Sequence, residues 1–195
     1  MTKYERQLLQ TIILGVLIIL SSCKKDENPV VVQPKPDVIL PLNVNNQWTY
    51  KRTYFDSLGA VSQIDTFSCK VLRDTVIQSE IWSIMSYWGT AYRNKADGCW
   101  AAFSQPTLLY KYPAFLNETF LSGQDTVSVV STNTITTVPA GTFACYSYER
   151  DFYGLPYHTL LSPKIGLIKD DWVVRINNGP PFINAQIELI SYSLL

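Results

Sequence analysis

From Gln47 to Leu194 the chain alternates apolar and polar residues in short runs broken by turn signals, and that spacing restricts it to antiparallel β structure. In Gln47 to Phe55, Trp48, Tyr50 and Tyr54 fall on one face, and Gln47, Thr49, Lys51 and Thr53 fall on the other. Ser57-Leu58-Gly59 supplies a turn. Ser62 to Arg73 then resumes the alternation, with Asp65, Phe67, Cys69 and Val71 against Thr66, Ser68 and Lys70, so the two segments read as a hairpin. Val76 to Trp88 carries large apolar residues in both phases, which predicts a central strand covered on both sides. Further strands are expected over Cys99 to Phe103, Thr107 to Tyr112, Thr126 to Val138, Thr142 to Phe152, Tyr157 to Leu161, Gly166 to Ile176 and Ala185 to Leu194. Helical periodicity is absent after Cys23, apart from a short turn around Pro113 to Phe120.

A parallel crossover needs roughly a dozen residues, more than these connections offer. About ten strands in one domain must curl or stack to bury a face. The expected fold class is therefore mainly β: a single antiparallel, strongly curved sheet, open or closed as a barrel, with a two-sheet β-sandwich as the alternative.

The amino terminus has a different grammar. Lys3 and Arg6 precede an apolar run from Thr11 to Leu20, which small residues end at Ser21-Ser22-Cys23. The run is shorter than the roughly 20 residues that cross a bilayer as a helix, so it predicts a secretion signal, Met1 to Ser22, that is removed. Leu20-Ser21-Ser22-Cys23 resembles the lipobox of bacterial lipoproteins. That resemblance implies a diacylglyceryl group on the Cys23 thiol and Cys23 as the new first residue. At about 0.8 kcal/mol per buried methylene, several acyl chains anchor durably where one holds weakly. Lys25-Asp26-Glu27 resembles the short signal that takes Bacteroidota lipoproteins to the outer face of the outer membrane; the other reading is a solvated start to a linker. The expected location is the outer membrane, with the periplasmic and surface faces both open.

Asn28 to Pro41 contains four prolines, which withhold amide donors and favour an extended tether. Residues 23–41 are thus expected to form a lipidated, proline-rich leash and 42–195 a single all-β domain, within the size that can bury a core. With 16 basic and 16 acidic residues and no basic cluster, a nucleic-acid partner is not expected, because such binding needs many phosphate contacts. Besides Cys23 there are Cys69, Cys99 and Cys145, without metal-ligand spacing. One disulfide plus a buried thiol, or three buried thiols, both fit an exported chain.

Three segments carry a wider resemblance. Val138-Pro139-Ala140-Gly141-Thr142-Phe143-Ala144-Cys145-Tyr146, Pro41-Leu42-Asn43-Val44-Asn45-Asn46-Gln47-Trp48-Thr49-Tyr50 and Ser162-Pro163-Lys164-Ile165-Gly166-Leu167-Ile168-Lys169 span the domain. They resemble motifs of a family of Bacteroidota cell-envelope lipoproteins whose domain has no assigned function. The resemblance implies an all-β fold in which the Val-Pro-Ala-Gly-Thr-Phe segment joins two long strands, and it supplies no catalytic residue. One departure is Asn46 where the family pattern has glycine; Asn also tolerates positive φ. The motif has a structural account of its own: Pro139 ends a strand, Gly141 permits the reversal, and Phe143 opens the next strand with a core anchor.

The residues offer little recognisable chemistry. His158 is the one histidine, no Gly-x-Ser-x-Gly elbow is present, and none of the cysteines sits in a nucleophile signature. Glu149 and Asp151 would share one face of a strand with Arg150 between them, and Asp170 and Asp171 are adjacent. The first pair has the two-carboxylate pattern of glycosidases, but alternation on any wet face produces it too. No calcium loop, His-x-x-x-His pair, phosphate-cradling loop or dinucleotide fingerprint occurs, so neither a metal nor a cofactor is expected. Of the five tryptophans, Trp48, Trp82 and Trp172 sit in apolar alternation, whereas Trp88 and Trp100 border Gly89 and Gly98 and are the candidate ligand-binding residues at a rim.

These observations lead to an expected non-enzymatic role: a β-domain anchored to the membrane through Cys23 that binds an apolar or glycan ligand in the concavity of its sheet, or an envelope protein. The alternative is a structural or assembly subunit working through an exposed edge or patch. A hydrolase using His158, or Glu149 with Asp151, would need those groups to converge in a pocket.

Overall fold

The computed structural model describes residues 37–195 except Trp88, Tyr153, Asn177 and Asn178, with the backbone alone for Phe152. The signal segment, Cys23 and the leash up to Pro36 therefore lie outside the described residues. The strands in chain order are β1 (Gln47–Phe55), β2 (Val61–Ile77), β3 (Glu80–Met85), β4 (Ala91–Lys95), β5 (Gly98–Ala102), β6 (Pro106–Lys111), β7 (Thr119–Ser122), β8 (Asp125–Val138), β9 (Gly141–Phe152), β10 (Leu155–Ser162), β11 (Gly166–Val174) and β12 (Phe182–Ser193).

All belong to one 12-stranded antiparallel sheet, in the order β6-β5-β4-β3-β2-β1-β12-β11-β10-β9-β8-β7. The sheet curls until its two edges meet: β6 lies beside β7 without a ladder between them. The Lys111 ammonium, at the end of β6, pairs with Glu118 just before β7 at 2.5 Å. The result is a nearly closed barrel, which is the expected curved sheet and not the two-layer sandwich. No helix occurs among the described residues, and Pro113 to Phe120 forms bends, a turn and the start of β7.

Stagger explains the unequal strand lengths. β2 serves two neighbours in succession: Gln63 to Lys70 pair within the β1 ladder, while Val71 to Ile77 pair with β3. Offsets of this kind are what let a sheet tilt and close on itself. The segment Val76 to Trp88 is accordingly not one covered strand. A reversal at Gln78 and Ser79, both at positive φ, splits it into the end of β2 and β3. On either side of that reversal the paired Val76 (69 %) and Ile81 (65 %) face solvent. β4 and β7 are strands that the alternation did not disclose.

The core lies on the concave face. Trp48, Tyr50, Cys69, Val71, Met85, Tyr92, Cys99, Val127, Val129, Tyr148, Leu161, Ile168, Ile187 and Leu189 form one buried cluster. Two of its aromatic polar tips reach backbone carbonyls of β11 and the turn before it. Trp48 Nε1 donates to Ile165 O at 2.6 Å, and the Tyr50 hydroxyl donates to Leu167 O at 3.3 Å.

One end of the barrel is filled by the chain that leads into β1. Ile39 (1 %) and Leu40 (6 %) are core residues. Lys164 N donates to Val38 O, Asn94 Nδ2 donates to Leu40 O, and the Ser83 hydroxyl donates to Leu42 O. The packed chain thus begins about four residues before Leu42, where the sequence reading placed the start of the domain. Asn46 is fully buried, with its amide donating to Pro41 O and its carbonyl accepting from Leu195 N. The positive φ of this turn falls on Asn45 (76°), so Asn45 takes the glycine-like conformation that the sequence reading gave to Asn46. At the same end Val138 and Gly141 close a two-residue reversal over Pro139 and Ala140, joining the long strands β8 and β9. Ala140 N donates to Leu189 O, which draws that turn over β12.

Cys69, Cys99 and Cys145 are unpaired and buried, which selects the three-thiol arrangement. Burial pushes the Cys69 and Cys145 thiols up to about 11 and Cys99 to about 12. They are held protonated and unreactive as small hydrophobes. All three should resist a thiol reagent in the native protein and react together in guanidinium chloride; a peptide map under non-reducing conditions that links any two of them would contradict this arrangement.

Glycine is required sterically at Gly98. Its φ is +141°, and a Cβ there would stand 2.1 Å from Tyr110 O and 2.9 Å from Lys111 Cα. Gly59, also at positive φ (+79°), has open space around it. Chemical denaturation should show Gly98→Ala losing at least about 2 kcal/mol through clash and strain, against about 1 kcal/mol for Gly59→Ala. Equal losses would mean that β6 gives way freely at Tyr110.

Candidate functional site

The barrel interior is not completely filled. A partly open cavity of about 170 Å³ lies against the inner faces of β6, β8, β9, β10 and β11. It is lined by Leu109, Tyr110, Val127, Tyr148, Arg150, Tyr157, Thr159 and Asp170. A neighbouring space of about 130 Å³ shares Leu109, Tyr110 and Asp170 and continues toward the plugged end along Leu40, Tyr92, Leu161 and Leu167. The lumen therefore grades from apolar beside the plug to charged farther out.

Alternation places each of these groups. On β11, Ile168, Asp170 and Trp172 occupy one phase, and on β9, Tyr148 and Arg150 do. Cross-strand register then aligns them, with Asp170 opposite Thr159 and Arg150 opposite Tyr157 on the intervening β10. A bulge adds to this. Cys99 pairs with Tyr110 and Trp100 with Leu108, so Leu109 is an extra residue on β6, and both Leu109 and Tyr110 reach the cavity. Re-aiming a side chain is what such bulges do.

Asp170 is the centre of a hydrogen-bond network. Its Oδ1 accepts from the Thr159 hydroxyl at 2.7 Å and its Oδ2 from Trp172 Nε1 at 2.6 Å. Thr159 and Tyr110 line the same cavity. Burial raises the Asp170 pKa above the ordinary 3.8, the neighbouring Asp171 adds to the rise, and Thr159, Trp172 and Arg150 oppose it. Burial likewise pushes the Tyr110 and Tyr148 hydroxyls up, so both are neutral donors. Tyr148 uses its hydroxyl to reach Lys111 O on β6 at 2.7 Å. Two strands from Asp170, on β9, Arg150 Nη2 donates to the Ser122 hydroxyl at 3.0 Å, and its Nη1 lies 3.6 Å from Asp125 Oδ2.

The residues singled out from sequence stand elsewhere. Trp100 is on the outer face, between the inward-facing Cys99 and Ala101. Its Nε1 donates to Asp97 at 2.8 Å, and the Lys95 ammonium sits 4.8 Å from its ring centre, so it contributes nothing to the lumen. Trp88 lies outside the described residues. Glu149 and His158 are cross-strand neighbours on the outer face, 3.7 Å apart and each more than two-fifths exposed. Asp151 accepts from Gly154 N at 2.6 Å in the adjoining turn. The two carboxylates and the histidine therefore do not converge in a pocket, and the catalytic pair that would need them is not assembled.

The lumenal residues were missed because attention went to the wrong phase. Arg150, read as an intruder between Glu149 and Asp151, is the inward member of that stretch. Asp170 also carried a usable signal: a carboxylate in phase with Ile168 and Trp172 falls on the buried side.

Asp170 makes stability depend on pH in a definite direction. Its folded pKa exceeds the unfolded value, so between the two the folded state keeps a proton that the unfolded chain has released. Its contribution is fully present below about 3.9 and declines as pH rises through the folded pKa. Denaturant unfolding across a pH series should therefore show Asp170→Asn gaining on the native protein as pH rises from 4 toward neutrality. A difference that stays flat with pH would remove the buried charge from this account.

No family model and no curated protein sequence matches the chain. Among solved structures it is similar to a chain from Bacteroides fragilis assigned as an exported protein with a YmcC-like fold, at TM-score 0.48 and 10 % identity over 82 % of this chain and 100 % of that one. It is also similar to a chain from Parabacteroides distasonis assigned as a lipoprotein, at TM-score 0.45 and 11 % identity, again over 82 % of this chain and 100 % of that one.

Proposed function

We propose that this is a lipoprotein of the cell envelope, anchored to the outer membrane by acyl chains on Cys23, whose barrel lumen holds a small polar ligand without transforming it. The anchor rests on the charged, apolar and small-residue order of Met1 to Cys23. The binding role rests on one observation: a cavity in the protein interior with a carboxylate on one wall and a guanidinium on another.

Size and lining decide the ligand class. Pockets for drug-sized molecules run to roughly 300–1,000 Å³, well above the 170 Å³ found here. A long acyl chain or an oligosaccharide does not fit, and a wall containing Asp170, Arg150, Thr159 and Tyr157 suits a polar molecule better than the apolar one expected from the sequence. The assembly-subunit alternative gains no support from the sheet edges, since β6 and β7 lie against each other. The hydrolase reading named His158, or Glu149 with Asp151, and none of these residues lines the cavity.

The full chain, purified from envelopes in detergent, should show an intact mass that begins at Cys23 and includes diacylglyceryl; Cys23→Ser should lose that mass and partition out of the membrane fraction. Denaturing the same preparation should release a small polar compound and no stoichiometric lipid beyond the covalent anchor. A native mass with Met1 retained would refute the anchor, and a stoichiometric phospholipid in the lumen would refute the ligand class.

A further inference from the structure

We infer that the lumenal site is built for a small zwitterion of the α-amino acid type, its ammonium at Asp170 and its carboxylate at Arg150. This deepens the reading of the lumen as a binding site and rests on it.

The first argument is unused hydrogen-bonding capacity. An ionised carboxylate offers about four acceptor positions. Asp170 commits one on each oxygen, to Thr159 and to Trp172, and it lines the cavity. A guanidinium has about five donors. Arg150 commits one to the Ser122 hydroxyl and rests a second against Asp125. The cavity thus presents an anion and a cation that are each oriented by neighbours and each left with capacity.

The second argument is spacing. Arg150 is opposite Tyr157 and Asp170 is opposite Thr159, so the two charges are offset by one strand on either side of β10 and by two residues along it. Strand spacing and rise put their Cα atoms roughly 12 Å apart. Both side chains nevertheless line the same cavity, so a molecule carrying a cationic and an anionic end a few bonds apart can address both. Tyr157 and Thr159, the cross-strand partners of Arg150 and Asp170 on the intervening β10, line the same cavity.

The third argument is size and charge balance. A cavity near 150 Å³ accepts a molecule of about six non-hydrogen atoms, the scale of alanine or serine. A lone cation drawn to Asp170 would be repelled by Arg150, and a lone anion at Arg150 would be repelled by Asp170. A zwitterion satisfies both walls at once and adds no net charge to a buried site.

The test uses the full chain in detergent, titrated by calorimetry and ligand-observed NMR with L-alanine, L-serine, N-acetyl-L-alanine and L-alaninamide. The free amino acids should bind, and each blocked derivative should bind at least ten-fold more weakly, because one lacks the cation and the other the anion. Asp170→Asn and Arg150→Gln, checked for native circular dichroism, should each weaken alanine at least ten-fold. Arg150→Gln should bring alanine and alaninamide to equal affinity. If a blocked derivative binds as well as alanine and both variants still weaken it, the zwitterion assignment falls while the lumen stands as a site. If neither variant alters the binding of any of the four, or none of the four binds, the zwitterion assignment is overturned, and ligand release from the denatured native preparation then decides whether the lumen reading falls with it. The wild-type comparison among the four compounds remains decisive even if a variant fails to fold.

Discussion

A sheet rolled nearly into a cylinder can be stable only if its concave side is filled, and every other feature of this protein follows from how that volume is occupied. Alternate residues of each strand point inward, and here many are aromatic: Trp48, Tyr50, Tyr92, Tyr110 and Tyr148. Each such ring buries a large area, but Trp and Tyr bring a polar tip that needs a partner. For Trp48, Tyr50 and Tyr148 the partners are carbonyls at places where the ladder is irregular or ends. Ile165 lies in the turn before β11, Leu167 flanks the bulge between β10 and β11, and Lys111 belongs to the edge strand β6. Side chains from the sheet alone do not complete the filling, so the chain ahead of β1 inserts Ile39 and Leu40 into one end.

What remains unfilled is chemically distinct. Near the plug, the residual space is bounded by Leu40, Leu161 and Leu167, where an empty void costs only lost contacts. Farther out, two inward positions are charged, and a buried charge has to be solvated by something. Asp170 recruits Thr159 and Trp172, and Arg150 recruits Ser122 and Asp125. Both solutions are partial, which is why the cavity has the character of a site rather than of a packing defect.

Much of this was legible in the chain, and the failures have physical causes. β1 was readable to its end residues from Trp48, Tyr50 and Tyr54, although Arg52 interrupts that phase and Thr53, read onto the wet face, is buried. β4 and β7 escaped because neither alternates: Ala91 and Tyr92 are adjacent and followed by three polar residues, and Phe120 and Leu121 are adjacent. The β2–β3 reversal escaped because Gln78 and Ser79 adopt positive φ with neither glycine nor asparagine to mark it. Trp82 was correctly read as buried, yet it lies outside the central cluster, with the Lys95 ammonium 5.9 Å from its ring. Composition cannot distinguish those two kinds of burial. The lumenal site was half legible: phase marks Asp170 and Arg150 as inward, but nothing local reveals that barrel closure brings Tyr110, some sixty residues earlier, to the same space.

Closure and site are also mechanically linked. No ladder hydrogen bonds join β6 to β7, so on that side the barrel is held by side chains. Lys111 meets Glu118 at the rim. Inside, the Tyr148 hydroxyl reaches Lys111 O, and Tyr110 shares the cavity with Thr159, which is bonded to Asp170. The groups that draw β6 toward β9, β10 and β11 are therefore the same groups that line the cavity. An apolar lumen of equal volume would pack as well, but it would give up these cross-barrel bonds, and the one side of the sheet that lacks a ladder would lose its internal fastening. Polarity in this lumen consequently serves the fold before any ligand arrives, and a molecule that completed the coordination of Asp170 and Arg150 would tighten the same seam.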